Sequence, residues 1–369
     1  MSGIRPLQRG DVPQVAALYE RVMRSRTRVP PPGLGEYFER TFLDHPWADA
    51  NIGSLVYEDD SGRLIGFIGS SARRLRFDGR PIRMACSGPL VADPDVGVQG
   101  VGVFLLRRYL AGPQDLTITD GATDLVARIW ERLGGQTAHL SCIRWTRLFR
   151  PLRATADHFL AGSPGRSRLR RLARPVCAAV DALARLPASP FRPVARPKVV
   201  GESLTPDALL EHLPAFTRPL RLAPDYDGEF LTWLFHEMRA VKSRGTLTAA
   251  GVRDESRRLL GWYVYYLRRD GLCQVLQIVG KEGRVGEVID HLFYSAQESG
   301  APGLTGRLEP RLFAPLSERR CMLHRHRNLL ALAHARDPAI VQAILSGQAL
   351  LTRMEGETWF GHGTESFLT

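Results

Sequence analysis

Lysine is nearly absent from this 369-residue chain: Lys198, Lys242 and Lys281 are the only three among 50 basic residues. The rest are arginine, a skew that reflects genome composition more than function. Cysteine is scarce too. Cys86, Cys142, Cys177, Cys273 and Cys321 are an odd, scattered set with no C-x-x-C pair. That argues against a disulfide framework or a zinc knuckle and for reduced thiols in a cytoplasm. No apolar run approaches the ~18 residues of a membrane helix, so no transmembrane segment is expected. Residues 1–11 carry no apolar stretch of signal type, so export by that route is not expected either. G-x-G-x-x-G and G-x-x-x-x-G-K-[ST] are both missing, which disfavours a dinucleotide fold and a P-loop. What is present is ordinary globular material, 44% hydrophobic and 24% charged. It suffices for two domains or one large one.

The net charge is +12, and it is concentrated. Residues 141–200 hold 13 basic side chains against Asp157 and Asp181, a net +11, while the rest of the chain is close to neutral. Any electrostatic partner should meet this segment. It is rich in proline and lacks aromatics interleaved to stack bases. Salt-sensitive, non-specific contacts are therefore expected of it, and no specific nucleic acid.

Either side of that segment, strands and helices alternate. Residues 4–7 read as a short strand, and Asp11 then caps a helix with Val12, Val15, Leu18, Tyr19 and Val22 at the 3.6-residue period. A helix at 36–43 precedes strands at 54–58, 64–70 and 84–91, with turns at 60–62 and 78–79. A helix at 101–110, a strand at 116–119, a helix at 124–133 and a strand at 137–145 follow. Residues 151–200 read as a linker with one short basic helix at 167–186. Beyond it, helices are expected at 206–213, 228–239, 286–299, 311–317 and 338–345. Strands are expected at 246–252, 259–267, 272–279, 304–308, 322–332 and 349–359. The expected domains are thus 1–150 and 201–369.

The two halves share a phrase. Residues 59–67, DDSGRLIGF, align without gaps on 254–262, DESRRLLGW, and each phrase joins two expected strands at the same place in the order. This points to an internal duplication.

Between the strand at 84–91 and the helix at 101–110 runs Val91-Ala92-Asp93-Pro94-Asp95-Val96-Gly97-Val98-Gln99-Gly100-Val101-Gly102-Val103. Small residues let backbone approach a ligand, and free N–H groups at a helix start attract phosphate. Taken alone, the turn fits either a phosphate site or tight packing.

Here the chain resembles the GNAT family of acetyl-CoA-dependent N-acyltransferases. The likeness runs from Ile4 to about Trp145. It rests on Ile4-Arg5-Pro6-Leu7 with Asp11-Val12, on the 60–67 hairpin, on Val91-Ala92-Asp93-Pro94 leading to Gly100-Val101-Gly102, and on Ile129-Trp130-Glu131-Arg132-Leu133-Gly134. It implies an α/β fold of mixed, mostly antiparallel sheets flanked by helices, with tandem GNAT-like domains of which the second is degenerate. It implies acetyl-CoA or another acyl-CoA as co-substrate, with no metal, and a small-molecule or peptide amine as acceptor. The donor would lie on Leu90, Val91, Val98, Gln99, Gly100, Val101, Gly102 and Val103. Asp120, just after the 116–119 strand, would be the base, or else would only shape the turn. The chain departs from the family at Gly97, where the motif carries Arg or Gln, and at Trp130, where many members place the tyrosine that protonates the leaving thiolate. Indole is no useful acid. The Gly280–Gly286 turn lacks G-x-G and is flanked by Glu282 and Glu287, so no donor is expected there. Two other functions fit the same residues: a non-catalytic acyl-CoA sensor or scaffold, and a Fem-like aminoacyl transferase. His324 and His326 alternate on a strand-like segment, read as a polar sheet face in preference to a metal pair.

Overall fold

The computed structural model describes residues 3–24, 29–95, 99–152, 191, 193–325 and 329–360. The basic helix expected at 167–186 lies outside the described residues. In chain order come β1 (Gly3–Pro6), α1 (Val12–Tyr19), α2 (Leu34–Phe42), β2 (Leu55–Glu58), β3 (Leu64–Phe77) and β4 (Arg80–Ala92). Then come α3 (Val101–Leu110), β5 (Leu116–Ala122), α4 (Asp124–Arg132), β6 (Gln136–Thr137), β7 (Ile143–Leu148) and β8 (Val200–Ser203). These are followed by α5 (Pro206–Thr217), β9 (Leu222–Pro224), α6 (Gly228–Ala240), β10 (Thr246–Arg253), β11 (Leu259–Leu267) and β12 (Cys273–Gly280). The last elements are α7 (Val285–Glu298), β13 (Gly303–Arg307), α8 (Phe313–Glu318), β14 (Met322–Arg325), β15 (Leu330–Ala335) and α9 (Pro338–Leu345).

The chain forms two compact units, and their limits are not the expected cuts at 150 and 201. The first unit is Met1–Cys142, Thr217–Met238 and His326–Thr369; the second is Ile143–Phe216 and Arg239–Arg325. The reason is strand pairing. β7 follows the first unit in sequence but pairs with β13 and β14 of the second sheet. β15 follows β14 but pairs with β5 and β6 of the first. The expected strand at 322–332 is therefore two strands, one in each sheet. The strand expected at 137–145 is likewise split: β6, a 3-10 turn at His139–Cys142, and β7. The expected strand at 349–359 is a run of turns, tied to β9 by a single Leu222–Ala349 bridge.

Among the described residues the first sheet has the order β1-β2-β3-β4-β5-β15-β6, with β9 paired to β3. It is antiparallel from β1 to β4, parallel between β4 and β5, and antiparallel again at β15. The second sheet, β8-β10-β11-β12-β13-β7-β14, repeats that succession of senses. The shared phrase also folds alike. Asp59 N–H donates to Arg63 O and Gly62 N–H to Asp59 O; Asp254 N–H donates to Arg258 O and Arg257 N–H to Asp254 O. In both turns the carboxylate also accepts from the backbone four residues on.

β3 and β4 make a long hairpin because Asp78 and Gly79 both take positive φ, 48° and 80°, which matches the strand twist. Ile65, Ile68 and Ala85 of this hairpin cluster with α3, which contributes Val101, Leu105, Leu106, Tyr109 and Leu110. Leu75, Met84 and Cys86 cluster with Ile118 and, from α9, Ile340 and Val341. In the second unit Tyr263, Tyr265 and Val275 pack with Val288, Ile289, Leu292 and Phe293 of α7.

Candidate active site

β4 and β5 are paired only at Met84–Leu116, Ala85–Thr117 and Cys86–Ile118, although β4 runs on to Ala92 and β5 to Ala122. The two strands therefore part after Cys86 and Ile118, leaving a fork with backbone edges free to meet a ligand. A register shift opposite Ile68 and Ser70 puts an extra β4 residue at the start of the fork, around Gly88 and Pro89. A bulge of this kind bends the strand away from its partner. Asp93 N–H donates to Ile65 O. By the two-residue alternation of an antiparallel pair, the Val91 N–H also faces β3, and the backbone groups of Leu90 and Ala92 face the fork. Of the two expected backbone residues, Leu90 presents its edge to the fork, while Val91 is buried and bonded toward β3.

β4 ends at a pinned aspartate. Asp93 is buried and accepts from Arg21 Nη2 (2.6 Å) and Arg63 Nη2 (2.5 Å). This fixes where the chain leaves the sheet for the glycine turn. Val98 lies outside the described residues, and Gln99 is exposed. Gly100 caps α3 with φ 82°, a left-handed conformation that glycine adopts without strain. The helical bonding of α3 begins with Phe104 N–H to Gly100 O, so the N–H groups of Val101, Gly102 and Val103 open the helix. A Cβ on Gly102 would meet nothing nearer than Ala92 Cβ at 3.9 Å. The side chain of Val103 is partly exposed and that of Phe104 is 48% exposed. Among the described residues nothing stands close over Gly102 at this helix N-terminus, which suits a phosphate group and an extended chain leading from it.

Asp120 is not held ready as an open carboxylate. It is buried, and it accepts from Glu357 N–H (2.8 Å), Thr358 N–H (3.1 Å) and Thr358 Oγ1 (2.8 Å). Its role in the structure is to tie the 356–358 turn to the end of β5. The carboxyl that this anchoring brings to the fork is Glu357, which sequence reasoning missed. Glu357 bonds Thr119 Oγ1, the β5 residue just past the last pair with β4, and lies against Gly121, where a Cβ would come within 2.9 Å of its Oε1. Burial, followed by the charge of Asp120, pushes the Glu357 carboxyl up to about 8, against the bonds from Thr119 and the β5 backbone that favour its anion. A carboxyl near that value exchanges protons around neutrality. The only sequence signal was the acidic, glycine-containing run Met354-Glu355-Gly356-Glu357, read instead as part of a strand.

Several other side chains near these elements serve the fold. Trp130 is buried and its Nε1 donates to Ala333 O (3.1 Å). Thr123 caps α4. Tyr109 OH donates to Ser70 Oγ (2.9 Å) under the sheet. His324 lies on β14, while His326 is outside the described residues. Among the described residues no group of His, Cys, Asp and Glu could hold a metal ion. No described helix is long and apolar enough to cross a membrane.

No family model matches the chain, and no curated protein matches it in sequence. Solved structures match in fold. A protein of unknown function from Enterococcus faecalis V583, described as a probable N-acyltransferase, aligns with TM-score 0.57 and 9% identity over 91% of this chain and 73% of that one. A GCN5-related N-acetyltransferase from Kribbella flavida aligns with TM-score 0.55 and 15% identity over 92% and 72%. One from Anabaena variabilis ATCC 29413 aligns with TM-score 0.55 and 11% identity over 92% and 74%. The chain thus has a GNAT-like α/β fold of two mixed sheets flanked by helices.

Proposed function

We propose that the first unit transfers an acyl group from an acyl-CoA to an amine, and that the second unit is a GNAT-like repeat without a donor site. The observation that carries the reading is the fork between β4 and β5, with the α3 N-terminus at one end and the raised carboxyl of Glu357 on its β5 arm. The residues suit such a donor. Backbone N–H groups of Val101, Gly102 and Val103 would take the pyrophosphate without any particular side chain, and the backbone of Leu90 would run beside the pantetheine. Gln99, Gly100 and the open approach over Gly102 leave room for it. The acyl-CoA supplies its acyl group as a thioester, so that transfer forms a C–N bond and breaks a C–S bond.

The chain's own part is positioning and proton movement. The Leu90 N–H, facing the fork, polarises the acyl carbonyl. Glu357 takes the proton that the amine must lose, and Thr119 orients it. Asp120 acts as a positioning residue by holding the 357–358 backbone. Trp130 supplies no proton. The thiolate leaves as such, since its conjugate acid lies near the ~8.5 of a free thiol. The acceptor is a small molecule or peptide bearing an amine.

Calorimetry with acetyl-CoA, followed by thiol release with an amine library, tests this. One binding site per chain and amine-dependent release are expected. Binding without release from any amine would favour the sensor reading, and no binding would end both.

A further inference from the structure

The transfer reaction leaves the chemistry of Arg73, on β3, unused. Arg73 sits in the interior of β3 opposite Met84 and is only 2% exposed. Its Nη1 donates to Ser71 Oγ (2.5 Å) and Ala72 O (2.9 Å). Nε and Nη2 are buried and have no hydrogen-bond partner. Ser71 stands opposite Cys86, the last β4 residue paired with β5. Arg73 thus lies two residues along β3 from the position opposite Cys86, where β4 and β5 part.

A buried guanidinium without a counter-ion is costly. The charge of the nearby acid favours the guanidinium but satisfies neither free donor. Glu355 is engaged by Tyr226 OH, by Thr352 N–H (2.6 Å) and by Thr352 Oγ1 (2.7 Å). Phe230 lies under the guanidinium at 5.1 Å and contributes only its ring face. His45, buried close by, is pushed down to about 3 by burial and by Arg73 itself, so it stays neutral and brings no anion. What is missing is specific in shape. Nε–H and Nη2–H are the two parallel donors on one side of a guanidinium, the pair that a carboxylate takes with both oxygens.

We propose that Arg73 receives a carboxylate of the acceptor, so that the amine acylated at the fork belongs to an amino acid or a short peptide with a free C-terminus. The proposal deepens the acyltransferase reading and rests on it for the identity of the reacting amine. The carboxylate contact itself can be measured without any transfer.

The test is thermal shift with a panel of N-acetylated amino acids and dipeptides, each as free acid and as C-terminal amide, on the parent chain and on Arg73→Met and Arg73→Lys. Free acids should raise the melting temperature of the parent and amides should not. Arg73→Met should lose the response, and Arg73→Lys should keep only part of it, because an ammonium lacks the parallel donor pair. Without ligand, Arg73→Met should melt at the same or a higher temperature than the parent, since an unrelieved buried charge is gone. Equal shifts by acids and amides, no shift by any acid, or a shift that survives Arg73→Met would overturn the proposal. So would a marked drop in the melting temperature of Arg73→Met, which would make Arg73 a strut of the fold. Acetyl-CoA calorimetry on the same samples reports separately on the donor site: binding intact with no carboxylate response sinks the role of Arg73 and leaves the acyltransferase standing. Where transfer is measured, free acids should exceed amides by at least ~10-fold in kcat/KM, an advantage lost through KM in Arg73→Met.

Discussion

The turn from β4 into α3 and the turn from β12 into α7 start alike and finish differently. Asp93 N–H bonds to Ile65 O, and Lys281 N–H bonds to Leu260 O, at matching places after the shared phrase. In the first unit the helix then opens through Gly100, with open space over Gly102. In the second, Gly280 packs against Val285, and the Arg319 guanidinium lies on Gly286, where a Cβ would come within 2.5 Å of Nη2. Arg319 is itself held by Asp290 at 2.7 and 2.8 Å. Among the described residues no side chain stands close over Gly102, whereas Val285 and Arg319 pack on the glycines of the second turn. The strands that follow differ in the same sense. Past its last pair with β4, β5 carries Thr119 and the anchored Glu357, whereas past its last pair with β12, β13 carries Gly306, over which the Trp145 ring lies. A shared backbone path thus carries the proposed chemistry in one unit and packs core in the other.

The contrast is broken most sharply at Glu357. Glu357→Gln keeps size and hydrogen-bonding capacity but cannot take a proton. Turnover should fall by ~10²-fold or more, the scale of losing a general base, while acetyl-CoA affinity holds. In the parent, kcat should rise with pH through about 8 as the carboxyl ionises, and the variant should lose that limb. Stability should move the other way. A carboxyl whose folded pKa lies above its unfolded value stabilises fully below the unfolded value and loses that contribution as pH rises through the folded one. The parent should therefore lose stability between about 4.5 and about 8, and Glu357→Gln should lose less of it. A full kcat with an unchanged pH profile in the variant would remove Glu357 from the mechanism.

Gly102→Glu and Gly286→Glu test the two turns against each other. In the first, a carboxylate would sit where the pyrophosphate is expected, and acetyl-CoA affinity should fall by roughly tenfold or more. In the second, the new carboxylate meets the movable end of Arg319, and affinity should not change. Equal effects on calorimetric Kd would erase the distinction between the units. Asp120→Asn should come next in size. An amide cannot accept from all three donors in the 357–358 turn, so kcat should fall less than in Glu357→Gln, with a stability loss of about 1–3 kcal/mol by denaturant melts.

Much of this was legible in the sequence because it is local. The 3.6-residue period of α1, the Asp78-Gly79 turn and the Gly100-Val101-Gly102 helix start are each set by neighbours along the chain. The parallel turns at Asp59 and Asp254 were readable as a phrase for the same reason. What escaped was non-local. β15 reads as the tail of an expected 322–332 strand, and only its pairing with β5 carries it into the other sheet. Glu357 gains meaning from Asp120 and Thr119, more than 200 residues earlier. Arg73 lies beyond the strand expected at 64–70, and its burial is visible only once β3 is paired with β4. Asp120 was found for its position after a strand, but its partners make it an anchor.

Trp130 gives the smallest catalytic effect and separates structure from chemistry. The residue stands where the resemblance implies an acid, yet its indole is buried and spends its N–H on Ala333 O of β15. Trp130→Phe removes that donor, leaves a buried carbonyl with one partner fewer and opens a gap beside α4. A stability loss of about 1–3 kcal/mol is expected for an unmet buried polar group, read as a lower melting temperature. Turnover per folded molecule should stay at the parent value across pH, because no proton passes through the ring. The measurement is kcat at a temperature well below the lower of the two melting points, with the folded fraction fixed by circular dichroism. A kcat that falls while the protein stays folded would show that the indole N–H reaches the reacting atoms, and the proton for the leaving thiolate would then have to be sought along α4.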